Sequence, residues 1–226
     1  MPVFNSAGQP IGAGSDLFGK TVMQLGDSNT ANDMSSGTNE PNLGYHYVLG
    51  KKYGYNYINN GHGGTAWELR DDAEFDGNSG VSKVDRLLAS GELPDYLIIA
   101  LGTNGTVNGE STDTTENTHT LYGAVRYCLH RLKTEAPTLR LGVIIPLNRG
   151  QHCGVIDAGQ NVRNDIIRQV CREYSVPYAD MMYESGITPD MLSDGLHLTN
   201  PDVIVEGMPL PRWLYMRKVE QLLLAL

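Results

Sequence analysis

Cysteine is scarce in this sequence, and what is missing narrows the field first. Its 3 cysteines, Cys128, Cys153 and Cys171, are odd in number and have no C-x-x-C spacing. That excludes a disulfide framework and a cysteine-based zinc site, and leaves the two in helical patterns, Cys128 and Cys171, as small core residues. No apolar run approaches the roughly 18 residues a membrane helix needs, so no membrane span is expected. Basic charge is short as well: 17 Lys and Arg stand against 26 Asp and Glu, a formal net charge of -9. An acidic surface repels phosphate backbones, which argues against nucleic acid and strongly anionic ligands. The opening residues lack the basic-then-apolar order of a signal peptide, and secreted and cytoplasmic locations both stay open.

What is present suits one globular domain. The chain has 226 residues, 40% of them hydrophobic and 19% charged, enough to bury a full core. Residues 1–18, with their Gly, Ser and Pro, read as a tail or linker and a point of attachment to a larger assembly, with the domain at 19–226. The acidic excess is local: residues 66–120 hold 3 basic and 11 acidic side chains, read as a solvated face that aids solubility. Within it "DDAEFDGNSGVSK" imitates a calcium loop from Asp72 to Gly77, but Lys83 stands where a bidentate glutamate is required, so the match fails.

Apolar runs at 21–25, 55–59, 95–101, 139–146 and 176–180 read as strands buried on both faces. Helical patterns lie between them at about 117–135, 157–174 and 209–225. In the second, Val162, Ile166, Val170 and Tyr174 recur at i+4, with Asp157 placed to cap. Such alternation predicts a parallel sheet with helices on both sides, whose functional groups gather beyond the carboxyl ends of the strands.

Those ends carry a coherent set. After the first strand comes Gly26-Asp27-Ser28-Asn29; after the second, "NNGHGGTAW"; after the third, "LGTNG"; after the fourth, "NRGQHCG"; and beyond the fifth, "SDGLHLTNPD". A serine hydroxyl becomes nucleophilic only when a neighbouring imidazole takes its proton. Ser28 is the candidate nucleophile, His197 the candidate base, and Asp194 the group that would fix the tautomer of His197. The oxyanion formed by attack needs donors, for which the Ser28 N–H, the Gly64 N–H and the Asn104 amide are candidates. Each has a plainer reading alone: Ser28 as a helix cap, Asn104 as a turn residue, the glycines as loop, Asp194 as a cap and His197 as surface. Their succession after consecutive strands favours the catalytic one.

These stretches resemble the blocks of the SGNH hydrolases, the GDSL esterase and lipase superfamily. Ser28 in "LGDSN" matches the first block, Gly64 in "INNGHGGT" the second, Asn104 in "LGTNG" the third, and His197 with Asp194 in "SDGLHLT" the last. The likeness runs from about residue 20 to the C-terminus. It implies a three-layer α/β/α sandwich, a flavodoxin-like five-stranded parallel sheet of order 2-1-3-4-5, and a shallow site with no metal and no organic cofactor. Two positions depart from the pattern: Asn29 follows the serine where Leu or Ile is usual, and Gly105 stands where the third block carries an acid. The α/β-hydrolase elbow G-x-S-x-G is absent, because Thr30 occupies its second glycine.

The expected reaction is hydrolysis of a small acyl ester through an acyl-enzyme. Asn29, His62, Trp67, Arg149 and His152 are candidate substrate contacts, an aromatic and polar mixture suited to an O-acetylated carbohydrate, that is, a small-molecule or glycan ester. Short-chain lipid esters, thioesters and acyl transfer use the same residues and stay open. So does a reading of another class, a non-catalytic carbohydrate-binding or structural module on this fold.

Overall fold

The computed structural model describes residues 14–31, 44–71, 77–147, 158–192, 194–198 and 203–226. Five strands form one parallel sheet: β1 (Thr21–Gly26), β2 (Asn56–Gly61), β3 (Tyr96–Ala100), β4 (Arg140–Ile145) and β5 (Tyr178–Asp180), in the spatial order 2-1-3-4-5. β1 lies at the centre of the chemistry because it is flanked on both sides, with Gly26 level with Gly61 of β2 and Ala100 of β3. The three strands therefore release their following loops at the same height.

Helices connect the strands: α1 (Ser28–Ala31), α2 (Tyr45–Tyr53), α3 (Gly80–Ser90), α4 (Leu121–Glu135), α5 (Ala158–Glu173), α6 (Met181–Glu184) and α7 (Leu210–Ala225). A short antiparallel pair, β6 (Ile204–Val205) and β7 (Met208–Pro209), precedes α7. Local signals set several ends. The Ser79 hydroxyl accepts the Ser82 N–H at the start of α3, and the Thr120 hydroxyl accepts the Gly123 N–H at the start of α4. α2 stops at Gly54 in the left-handed region, at φ 73°, which favours glycine. α2 and α3 add to the three helical patterns read from the sequence and complete the alternation of strands and helices.

The two-residue period of the strands divides the core. Met23, Leu25, Leu97, Ile99, Val143 and Ile145 pack with α3, α4 and α5. Val22, Tyr96, Ile98, Ala100 and Ile144 face the opposite way, toward α2 and α7. This is the expected sandwich of helices on both sides of a parallel sheet.

Three expectations change. β2 is an edge strand and is only partly buried, because a single neighbour leaves one side of it to solvent. Val162 is 48% exposed, and the buried stripe of α5 instead combines Ile166, Ile167, Val170 and Cys171. Leu17, placed by composition in the tail, is 1% exposed and belongs to the α2–α7 side of the core. The packed body thus already includes Leu17. Cys128 and Cys171 are buried, and burial raises both thiols, Cys171 to about 12. Cys153, Asp157 and the acidic run 72–76 lie outside the described residues. No described helix is long and apolar enough to cross a membrane.

Candidate active site

Ser28 is the first residue of α1, directly beyond the end of β1. The turn is built by close packing. A Cβ on Gly26 would stand 1.9 Å from the Thr30 hydroxyl, and one on Gly61 would stand 2.3 Å from the Ala31 nitrogen. Both glycines are needed so that α1 can lie against the ends of β1 and β2, a steric reason rather than the tight turn conformation suggested by the motif. The Asp27 carboxyl, 2% exposed, accepts the Asn29 N–H at 3.0 Å and shapes the turn.

A buried polar network supports α1 from below. Gln24, in the middle of β1, donates from Nε2 to the Thr30 hydroxyl at 2.8 Å and to the Tyr45 hydroxyl at 2.7 Å. Its Oε1 pairs with Nε2 of His46, whose Nδ1 meets the Tyr55 hydroxyl at 2.9 Å. An amide oxygen only accepts, so His46 carries its proton on Nε2. Burial pushes His46 down to about 3, and the ring is neutral. From the other side Asn59 donates to the Thr30 carbonyl at 2.9 Å.

His197 reaches the serine from the loop beyond β5. Its Nε2 is 3.0 Å from Ser28 Oγ, and its Nδ1 is 2.5 Å from Asp194 Oδ2. The other carboxylate oxygen of Asp194 accepts the backbone N–H of Leu196 at 2.9 Å and of His197 at 2.7 Å. Partial burial works against the charged form of Asp194, but the His197 ring and these two N–H groups prevail and hold the carboxyl below its ordinary value. With an acceptor at Nδ1, that nitrogen carries the proton and the Nε2 lone pair is left for the serine hydroxyl. Asn29 adds a longer contact at 3.5 Å, from its side-chain amide to the Leu196 carbonyl, which ties α1 to the His197 loop.

Gly64 and Asn104 approach from the loops after β2 and β3. His62 donates its N–H to the Gly26 carbonyl at 3.0 Å, which seats the β2 loop beside the serine turn. Gly64 follows in the left-handed region, at φ 77°. Asn104 Nδ2 donates to the carbonyl of Thr65, the next residue, at 3.3 Å. These contacts bring the loops of all three candidate donors together.

The five candidate substrate contacts fare differently. The His62 side chain is exposed, and Asn29 is half-buried against Leu196. Trp67 is 0% exposed and packs in the α3–α5 side of the core, so it offers no ring face to a substrate. The correction has a simple cause: the loop after β2 turns inward at Thr65 and threads residues 65–68 beneath the surface. Arg149 and His152 lie outside the described residues. Sequence reasoning missed Gln24, His46, Glu68 and Lys83. A glutamine inside an otherwise apolar strand, and an acid between Trp67 and Leu69, were the available signals. Lys83 is buried on α3, where burial first and Arg86 second lower it to about 8 against the opposing pull of Asp27. Its ammonium group donates to the Asn60 carbonyl at 2.7 Å.

A parallel 2-1-3-4-5 sheet between helix layers, with the four blocks at its carboxyl edge, defines an SGNH-type hydrolase. The model of the GDSL-like lipase/acylhydrolase family matches residues 25–201, and the chain belongs to that family of ester-hydrolysing enzymes. Solved structures share the fold. A protein from Lactobacillus plantarum is 22% identical with a TM-score of 0.69, covering 91% of this chain and 97% of its own. A lipase/acylhydrolase from Enterococcus faecalis is 16% identical with a TM-score of 0.62, covering 91% and 96%. An acetyl xylan esterase is also 16% identical, with a TM-score of 0.58 and coverage of 89% and 98%. A search of curated proteins returns no match.

Proposed function

We propose that this chain is a serine esterase that removes a small acyl group, acetyl above all, from an O-acylated carbohydrate. The observation that carries the reading is the 3.0 Å approach of His197 Nε2 to Ser28 Oγ, with Asp194 on the far ring nitrogen. The hydroxyl proton passes to Nε2 as Oγ attacks the ester carbonyl. The oxyanion takes hydrogen bonds from the Ser28 and Gly64 N–H groups and from the Asn104 amide. His197 then returns the proton to the departing alkoxide, leaving an acyl-serine. Water, losing its proton to the same nitrogen, attacks that ester, and the acid leaves as Oγ regains a proton. Asp194 keeps the imidazole oriented and offsets its transient positive charge.

Two observations favour a small acyl group on a polar alcohol. Both chain neighbours of Ser28, Asp27 and Asn29, line a partly open cavity of about 10 Å³ together with Thr103, Pro146, Leu147 and Tyr215, which Ser28 itself does not line. That is the room of about one water- or methyl-sized group. The exposed His62 rims the site, and one fold relative acts on acetylated xylan by its name. The test is Ser28→Ala, which should lower turnover of an acetyl ester by about 10⁴- to 10⁶-fold. A fluorophosphonate should label the parent once, at Ser28. A Ser28→Ala variant with parental turnover would overturn the proposal, and faster hydrolysis of octanoyl esters than of acetylated sugars would overturn its substrate half.

A further inference from the structure

The loops bearing Gly64 and Asn104 are joined through Asn104 itself and again further along both segments. An asparagine amide has two N–H groups. One donates to the Thr65 carbonyl, and the proposed reaction assigns the other to the oxyanion. The second joint lies two residues further on, where the Thr106 N–H donates to Glu68 Oε1 at 2.7 Å.

Glu68 is 2% exposed, although a buried carboxyl group costs desolvation that an apolar filler would not. It leans directly on the residue after Asn104. Gly105 has φ 103°, and a Cβ there would stand 2.5 Å from Glu68 Oε1 and 2.9 Å from Oε2. The carboxyl group therefore fills the space that a side chain at 105 would need. Glu68 Oε2 has no hydrogen-bond partner among the described residues, so the joint runs through Oε1. On its other side the same loop is gripped by α5. Arg163 Nε and Gln160 Nε2 each donate to the Gly102 carbonyl at 3.1 Å, and Arg163 Nη1 donates to the Gly105 carbonyl at 3.5 Å. α5 thus holds the carbonyls of Gly102 and Gly105 and Glu68 holds the N–H of Thr106 beyond them, with Asn104 between.

We propose that Glu68 is a positioning residue for ester hydrolysis: through the Thr106 N–H it sets the Asn104 amide at the distance from Gly64 that an oxyanion requires. This rests on the esterase reading above. It is tested by steady-state kinetics on p-nitrophenyl acetate with Glu68→Ala, Glu68→Gln, Asn104→Ala and the double variant Glu68→Ala/Asn104→Ala. Glu68→Ala should lower kcat by about 10- to 100-fold, the scale of a misplaced catalytic donor, with KM within about two-fold. Glu68→Gln keeps the Oε1 acceptor and should recover kcat to within about five-fold of the parent. In the Asn104→Ala background, the further change Glu68→Ala should alter kcat by less than about two-fold, since the group it positions is gone. Parental kcat in Glu68→Ala, or losses that multiply in the double variant, would overturn the proposal. Should Glu68→Ala not fold, Glu68→Asp, one methylene short of Thr106, carries the same comparisons. Ser28→Ala separates the two claims: an active Ser28→Ala enzyme removes the esterase reading, whereas an inactive one with multiplying losses removes only the role of Glu68.

Discussion

Ser28 and His197 are 169 residues apart in the chain and 3.0 Å apart between Oγ and Nε2. Their immediate neighbours are also joined, since Asn29 donates its side-chain amide to the carbonyl of Leu196. The hydroxyl and the imidazole are thus held by a second contact outside the proton path. Asn29, unusual at this place in the family pattern, makes that contact.

The Asp194→Asn variant should keep the fold and lose about 10²- to 10⁴-fold in kcat, because an amide nitrogen facing Nδ1 favours the wrong imidazole tautomer. In the parent, Asp194 is held below its ordinary 3.8 by the His197 ring and two backbone N–H groups, despite opposing burial. A carboxyl with a depressed folded-state value stays ionised above 3.8 and loses its contribution only as pH falls further. A pH–rate profile from pH 8 down to 4 should therefore carry no inflection from Asp194.

Acid stability should be governed in part by His46. Its value falls from 6.5 to about 3 on burial, so between those limits the unfolded chain binds a proton that the folded chain does not. The contribution is complete above pH 6.5 and is lost as pH falls toward 3, with a limiting slope of about 1.4 kcal/mol per pH unit. Urea melts of the parent and of His46→Gln, compared at pH 7, 6 and 5, check this. The variant should show the shallower dependence, whatever its stability at pH 7.

Leu147 lines the small cavity beside the serine turn. Leu147→Ala should widen it, raising the ratio of butanoyl to acetyl kcat/KM by about 10-fold, the scale of one or two methylenes in an apolar pocket. An unchanged ratio would place the acyl chain elsewhere.

Trp67 should matter to folding and not to substrate. Trp67→Ala should cost about 3–5 kcal/mol of stability, as expected for a large buried ring. Trp67→Phe should cost far less, since the indole N–H it removes has no acceptor among the described residues. KM of Trp67→Phe for an acetylated xylo-oligosaccharide should match the parent. A rise above about five-fold would return Trp67 to the substrate surface.

The parts of the fold legible in the sequence were those written in short-range pattern. The strands appear within a few residues of the apolar runs, and α4, α5 and α7 match the helical patterns read for them. α2 is legible only in the structure, since its nine residues carry a weak helical face, whereas α3 has one apolar face with Val81, Val84 and Leu87. Trp67 and Glu68 were misread or missed for one shared reason: local composition marks a loop without saying whether it turns outward or inward, and this one threads into the core.

By itself the sequence determined an alternating α/β chain and the chemical types presented beyond each strand: a hydroxyl, a glycine cluster, an amide and an Asp-x-x-His. Those follow from backbone period and residue chemistry, which act over a few residues. Only the tertiary structure decided which of them meet. Level strand ends bring the loops of Ser28, Gly64 and Asn104 together, and the contact of Asn29 with Leu196 ties the histidine loop to α1. The same packing withdraws Trp67, seats Glu68 against Gly105 and leaves β2 at the edge, because distances between segments far apart in the chain are set by how layers close on one core.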